Sequence, residues 1–217
     1  MKKENFPYLS HFLTVFSFAA AMGYLEAAVV VYLRVLYYPE GFSFPPKLIP
    51  VPMAIIEIGR EAATIIMLLT AAMLAGKRFW ERFGYFIILF GVWDIFYYFW
   101  LKVTIGWPAG IFDYDILFLI PLPWVGPVIA PVLISLLMIV IGLSLTLRLY
   151  MGLEFKPSVL SWVLGSAATL LILYSFMADS GAVSRQATPD AYSYPILVIG
   201  LILYGISYLA VVRKSEG

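Results

Sequence analysis

Long apolar runs separated by short polar turns set the pattern of this chain. Six of these runs are long enough to cross a bilayer as helices: about 11–36, 51–75, 83–103, 125–149, 158–178 and 193–212. A helical span needs roughly 20 mostly apolar residues, and the runs lack the short alternating segments of a barrel. The first run follows Lys2 and Lys3 and continues without a break to Leu36, which predicts a first helix and not a cleaved leader. The expected architecture is an all-α polytopic membrane protein. It is a single membrane domain, residues 1–217, folded as a six-transmembrane-helix bundle.

Residues 106–131 depart from this pattern. Gly106-Trp107-Pro108-Ala109-Gly110 is followed by Phe112-Asp113-Tyr114-Asp115 and an apolar run, Ile116–Leu122, far too short to span. Pro121, Pro123, Pro127 and Pro131 then recur at short intervals. Prolines break helices, and irregular backbone survives at membrane depth only when buried in protein or lining a wet cavity. A re-entrant or interfacial half-helix is expected at about 106–124, on the outer side. The earlier loop, Tyr37 to Pro46, is aromatic and proline-rich, and predicts an interfacial belt or a cover over the bundle.

Composition agrees with the pattern. The chain is 63% hydrophobic and 12% charged, with a mean hydropathy of +0.94, whereas soluble domains carry about 25% charged residues. The lipid bilayer is therefore the first expected partner, and the cell inner (plasma) membrane the expected location. A net charge of +1 argues against nucleic acid. Nine basic residues fall on one side of the predicted spans: Lys2, Lys3, Lys77, Arg78, Arg82, Arg148, Lys156, Arg213 and Lys214. Four fall on the other: Arg34, Lys47, Lys102 and Arg185. The positive-inside rule then predicts N-in, C-in.

The second span carries the chemistry that changes this picture. Glu57, Arg60 and Glu61 interrupt its apolar run. At 100° per residue they share one sector of roughly 100°, with Thr64 about 20° from Glu57. Three charges at a helix centre cost about 8–10 kcal/mol, against about 6 kcal/mol returned by the apolar residues around them. This helix needs neighbours to cover its charged sector. Glu26 in the first span and Asp94 in the third fall near the middle of the membrane. Arg34, Lys102, Asp113 and Asp115 fall at the outer boundary. This one-sided depth distribution predicts a polar pocket opening outward, floored by Glu26, Glu57, Arg60, Glu61 and Asp94 and walled by Trp93, Tyr98 and Trp107. Asp113 and Asp115 complete the candidate ligand-binding set. Glu57, Glu61 and Asp94 are the candidate catalytic acids.

The fifth and sixth spans carry no ionised residue in their interiors and read as scaffold. Small residues recur at Ala19, Gly23 and Ala27, and at Ser161, Gly165 and Thr169. Such faces pack helices closely in lipid, within the chain or against a homo-oligomer or membrane-complex partner. Glu26/Arg34 and Asp94/Lys102 share a spacing of eight, each pair followed by aromatics and a turn, as in a faint parallel repeat.

Several chemistries are excluded. The chain has no cysteine and one histidine, His11, about 22 Å along its helix from Glu26. Triad, thiolate, bis-histidine haem and Glu-x-x-His di-iron sites are all out of reach. No cofactor and no metal is implied. Glu57-Ile-Gly-Arg60-Glu61 resembles the acidic motif of membrane prenyl-protein proteases, whose later histidines are missing. Tyr114-Asp115 matches one half of the intramembrane aspartyl protease pair, without the second. Trp93-Asp94, Trp107-Pro108 and Tyr38-Pro39-Glu40 resemble fragments of the small carotenoid-cyclase membrane family, but its Pro-x-Glu-Glu element is absent. The overall layout is similar to the substrate-binding subunits of vitamin uptake transporters.

The leading expectation is binding or transport of a small polar or cationic, proton-coupled solute. An intramembrane enzyme using carboxylate acid–base chemistry on a lipid or isoprenoid is the alternative. A structural subunit of a membrane complex is the third. An enzyme predicts an apolar tunnel beside the acids.

Overall fold

The computed structural model describes residues 6–214, with the side chains of Phe6, Pro7 and Lys214 left aside. Lys2, Lys3 and the last three residues, and with them part of the charge asymmetry, lie outside the described residues. Six helices are long and apolar enough to cross a membrane, and the chain is a multi-pass membrane protein. They are α1 (Phe6–Tyr37), α2 (Val51–Ala75), α3 (Phe79–Ile105), α4 (Ile129–Tyr150), α5 (Val159–Met177) and α7 (Tyr194–Lys214). A one-turn helix, α6 (Gly181–Arg185), lies between the last two.

Local chemistry sets the helix ends. Pro52 occupies the first turn of α2, where a missing N–H costs nothing. In the turn to α3, Glu81 accepts the backbone N–H groups of Lys77 and Arg78 at 2.8 and 3.3 Å. Helix α3 stops at Gly106, whose φ of 72° is open to glycine. Lys102 donates to the carbonyls of Gly106 and Pro108 at 3.1 and 2.7 Å. It thus caps its own helix.

The segment expected as a half-helix is a β-hairpin. Strand β1 (Tyr114–Phe118) pairs antiparallel with β2 (Trp124–Pro127), with Asp115 opposite Gly126 and Ile116 opposite Val125. Strand pairing satisfies backbone groups that a proline-broken helix leaves open. It also moves the start of α4 from the expected 125 to Ile129.

Helix α3 is the hub, packed against α1, α2 and α4, while α5 and α7 pair with each other. The second group reaches the first chiefly through α4 and β2. Small residues permit the closest approaches. A Cβ on Gly23 would lie 2.9 Å from the Phe96 Cβ, and one on Gly142 2.6 Å from the Ile88 side chain. Ala19 and Ala27 are fully buried, so this small-residue face is used inside the chain. Ser161, Gly165 and Thr169 meet α7: Ser207 donates to the Ser161 carbonyl at 2.7 Å, and Thr169 bonds Tyr204 at 2.5 Å.

Helix α2 is built inside out. Its buried stripe is Glu57, Glu61, Thr64, Leu68 and Ala72. Ile55, Ile56, Ile66 and Met73 are exposed. In water this arrangement would be inverted. In lipid it is the low-energy one, with charges turned to the protein interior.

Candidate functional site

Three polar groups form where the sequence predicts one pocket. The first lies between α1 and α2. Arg60 pairs with Glu26, and with Glu57 at 2.8 Å, and Thr64 donates to Glu26 at 3.2 Å. One guanidinium thus ties two carboxylates from two helices. Glu61 sits one turn after Glu57 and turns to the hairpin instead. Both of its carboxylate oxygens accept the Leu119 N–H, at 2.9 and 3.1 Å.

The second group lies at the base of the hairpin. Arg34 donates to Asp115 at 3.1 Å, with both residues buried. The Asp115 carboxylate also accepts the Ile116 N–H at 3.0 Å and, at 3.4 Å, the Tyr97 hydroxyl. Tyr98 is buried and packs on Trp107, with ring centroids 6.2 Å apart. Burial pushes the Asp115 carboxyl above its ordinary range. Arg34 and these hydrogen bonds pull it back. The guanidinium of Arg34 lies between two rings, 3.7 Å from the centroid of Trp107 and 4.4 Å from that of Phe42. The aromatic loop therefore covers Arg34. Asp113 stands apart from this group. It accepts the N–H groups of Ala109 and Gly110, at 2.7 and 3.1 Å, and holds the turn before the hairpin.

The third group faces the other side of α3. Ser135 on α4 donates to Asp94 at 2.8 Å. Both line a cavity of about 660 Å³ between the α3–α4 pair and the α5–α7 pair, roofed by the hairpin. Its lining runs along α3 from Phe79 to Asp94 and along α5 from Ser161 to Phe176, about 22 Å in each case. Aromatic rings dominate its wall, with Trp80, Phe90, Trp93, Trp124, Trp162 and Phe176 among them. Among the described lining residues there is no Lys, Arg or His, and Asp94 is the one acid. Glu26, Glu57, Arg60 and Glu61 do not line it.

The structure therefore brings together Glu26, Glu57 and Arg60, and sets Asp94 and Trp93 on a separate, apolar space. Trp107, Tyr98 and Asp115 join Arg34. Sequence reasoning leaves out Arg34, Tyr97 and Ser135 as site residues, and treats α5 and α7 as scaffold. Arg34 reads locally as a last-turn cation, because its partner is 81 residues away. Ser135 carries no charge to flag it. No family model, curated protein or solved structure matches this chain.

Proposed function

We propose that this protein binds an amphipathic lipid in the cavity between its two helix groups. The carrying observation is an aromatic, cation-free space of about 660 Å³ with one carboxyl, Asp94, in its wall. Ligand sites fall at about 300–1,000 Å³ and combine apolar linings with a few polar groups. A length of about 22 Å is most of the roughly 30 Å hydrocarbon core, which suits a chain-like ligand better than a compact polar solute. The carboxylates of α2 also support this reading. Arg60 and the Leu119 N–H already occupy them, so they act as ties between helices and hairpin.

The hairpin is fitted to membrane depth. Its tip meets Glu61, about 15 Å along α2 from Val51. Pro121 and Pro123 bring no N–H to this tip, and Glu61 accepts from Leu119. Few backbone donors are left to satisfy at that depth. In this reading the hairpin re-enters the bilayer on the side of the 37–50 loop, the outer side expected from the positive-inside rule.

A second reading rests on the Asp94–Ser135 pair alone. A carboxyl in the wall of a lipid cavity is placed to exchange a proton with a bound isoprenoid, as in the enzyme alternative.

Gentle purification followed by solvent extraction and mass spectrometry tests the proposal. A specific lipid is expected with the wild type and reduced in Gly165→Leu, which extends a side chain from the cavity wall. A polar metabolite lost in Arg60→Gln and retained in Gly165→Leu would overturn the proposal in favour of solute binding.

A further inference from the structure

The cavity has a closed end and an open one. At the hairpin its wall is tight, with Trp93 5% and Phe176 3% exposed. At the other end Phe79 is 67% and Trp162 56% exposed. Helix α3 packs on α1, α2 and α4, and α5 packs on α7 and β2. The mouth therefore lies between the first turns of α3 and α5, where side chains span the gap. The Trp80 ring meets that of Phe155 at 4.8 Å and that of Trp162 at 6.0 Å between centroids.

Basic residues rim this mouth. Arg78 precedes Phe79, Arg82 precedes Phe83, and Lys156 stands between Phe155 and Pro157; all four of these neighbours line the cavity. The Trp80–Phe155 contact thus holds Arg78 and Lys156 on one rim. Both are exposed, as is Arg213, two residues beyond the lining residue Val211. Two acids stand among them. Glu81 accepts the backbone N–H groups of Lys77 and Arg78. Glu154 pairs with Lys156 at 2.5 Å, with both side chains more than 70% exposed. Such a surface pair is weak and yields readily to a stronger anion.

We infer that the lipid of this cavity is an anionic phospholipid, with its phosphate among Arg78, Arg82 and Lys156 at the mouth and an acyl chain running inward along α3 and α5. This rests on the cavity being a lipid site. The division of charge supports it, because the described wall holds no Lys, Arg or His while the rim carries them. A phosphate at the rim is paired by charge-assisted hydrogen bonds and stays in contact with water. No lipid charge then enters the apolar wall, where it would be expensive, and Asp94 keeps its Ser135 partner. Basic pockets between membrane helices bind anionic headgroups in this way. A zwitterionic phospholipid fills the same space but brings a cation to a basic rim.

Phosphatidylglycerol and phosphatidylcholine with the same brominated chains, titrated onto the detergent-purified protein, report binding through quenching of tryptophan fluorescence. Phosphatidylglycerol is expected to bind about tenfold tighter, with the advantage shrinking in high salt. Arg78→Gln and Lys156→Gln should each weaken phosphatidylglycerol about fivefold and leave phosphatidylcholine unchanged, which also shows that the variants fold. Gly165→Leu should weaken both lipids. Equal affinities in the wild type overturn the headgroup assignment and leave the lipid cavity standing. That comparison needs no variant. A phosphatidylglycerol preference that survives the double variant Arg78→Gln/Lys156→Gln also overturns it. If neither lipid binds saturably, or if Gly165→Leu binds both as the wild type does, the cavity reading falls, and the headgroup assignment with it.

Discussion

The Leu119 N–H points between the two carboxylate oxygens of Glu61, at 2.9 and 3.1 Å, and this joins the tip of the hairpin to the middle of α2. Glu61→Leu strands that N–H in an apolar setting and is expected to cost about 1–3 kcal/mol. Glu61→Gln keeps an acceptor and should cost less. Limited proteolysis at 119–123 and thermal unfolding in detergent measure both. Equal stability of the leucine variant and the wild type would show that the hairpin does not depend on this contact.

Arg60 holds Glu26 and Glu57 at once. Removing it alone leaves two carboxylates buried without a cation. Arg60→Met is expected to destabilise by about 3–5 kcal/mol. Adding Glu26→Gln and Glu57→Gln to it should recover part of that loss. A mutant cycle in chemical denaturation reads the coupling, and additive losses would refute the pairing.

Asp115 predicts a pH dependence whose sign follows from burial. Its carboxyl is pushed up by burial more than Arg34 and its hydrogen bonds pull it down. Between the unfolded value of about 3.9 and the raised folded value, the folded chain holds the extra proton. Stability therefore falls as pH rises through that window. Asp115→Asn should flatten the stability profile there, measured by thermal unfolding from pH 4 upward. A profile rising over the same window in the wild type would contradict the assignment.

Two glycines should respond oppositely to alanine. A Cβ on Gly165 meets only the Ser207 hydroxyl, at 3.5 Å, whereas one on Gly142 lies 2.6 Å from Ile88 and 2.8 Å from the Gly84 carbonyl. Gly165→Ala should stabilise by up to about 1 kcal/mol through helix propensity. Gly142→Ala should destabilise by about 1–3 kcal/mol through overpacking. Melting temperatures in detergent separate the two, and like signs would contradict the packing of α3 on α4.

Sequence alone determined the six membrane-length helices and the charged sector of α2. Twenty apolar residues in a row have few other solutions, and helical geometry sets the relative direction of Glu57, Arg60 and Glu61 whatever surrounds them. Tertiary structure decided the partners. Arg60 meets Glu26 across 34 residues and Arg34 meets Asp115 across 81, and no local rule places such pairs. Residues 114–127 became a hairpin because Ile116 and Val125 pair across the turn. A short apolar run does not by itself distinguish strand from helix. The cavity was least legible of all. It belongs to the space between α3–α4 and α5–α7, and the charge-free faces of α5 and α7 become cavity wall only when they stand opposite α3 and α4.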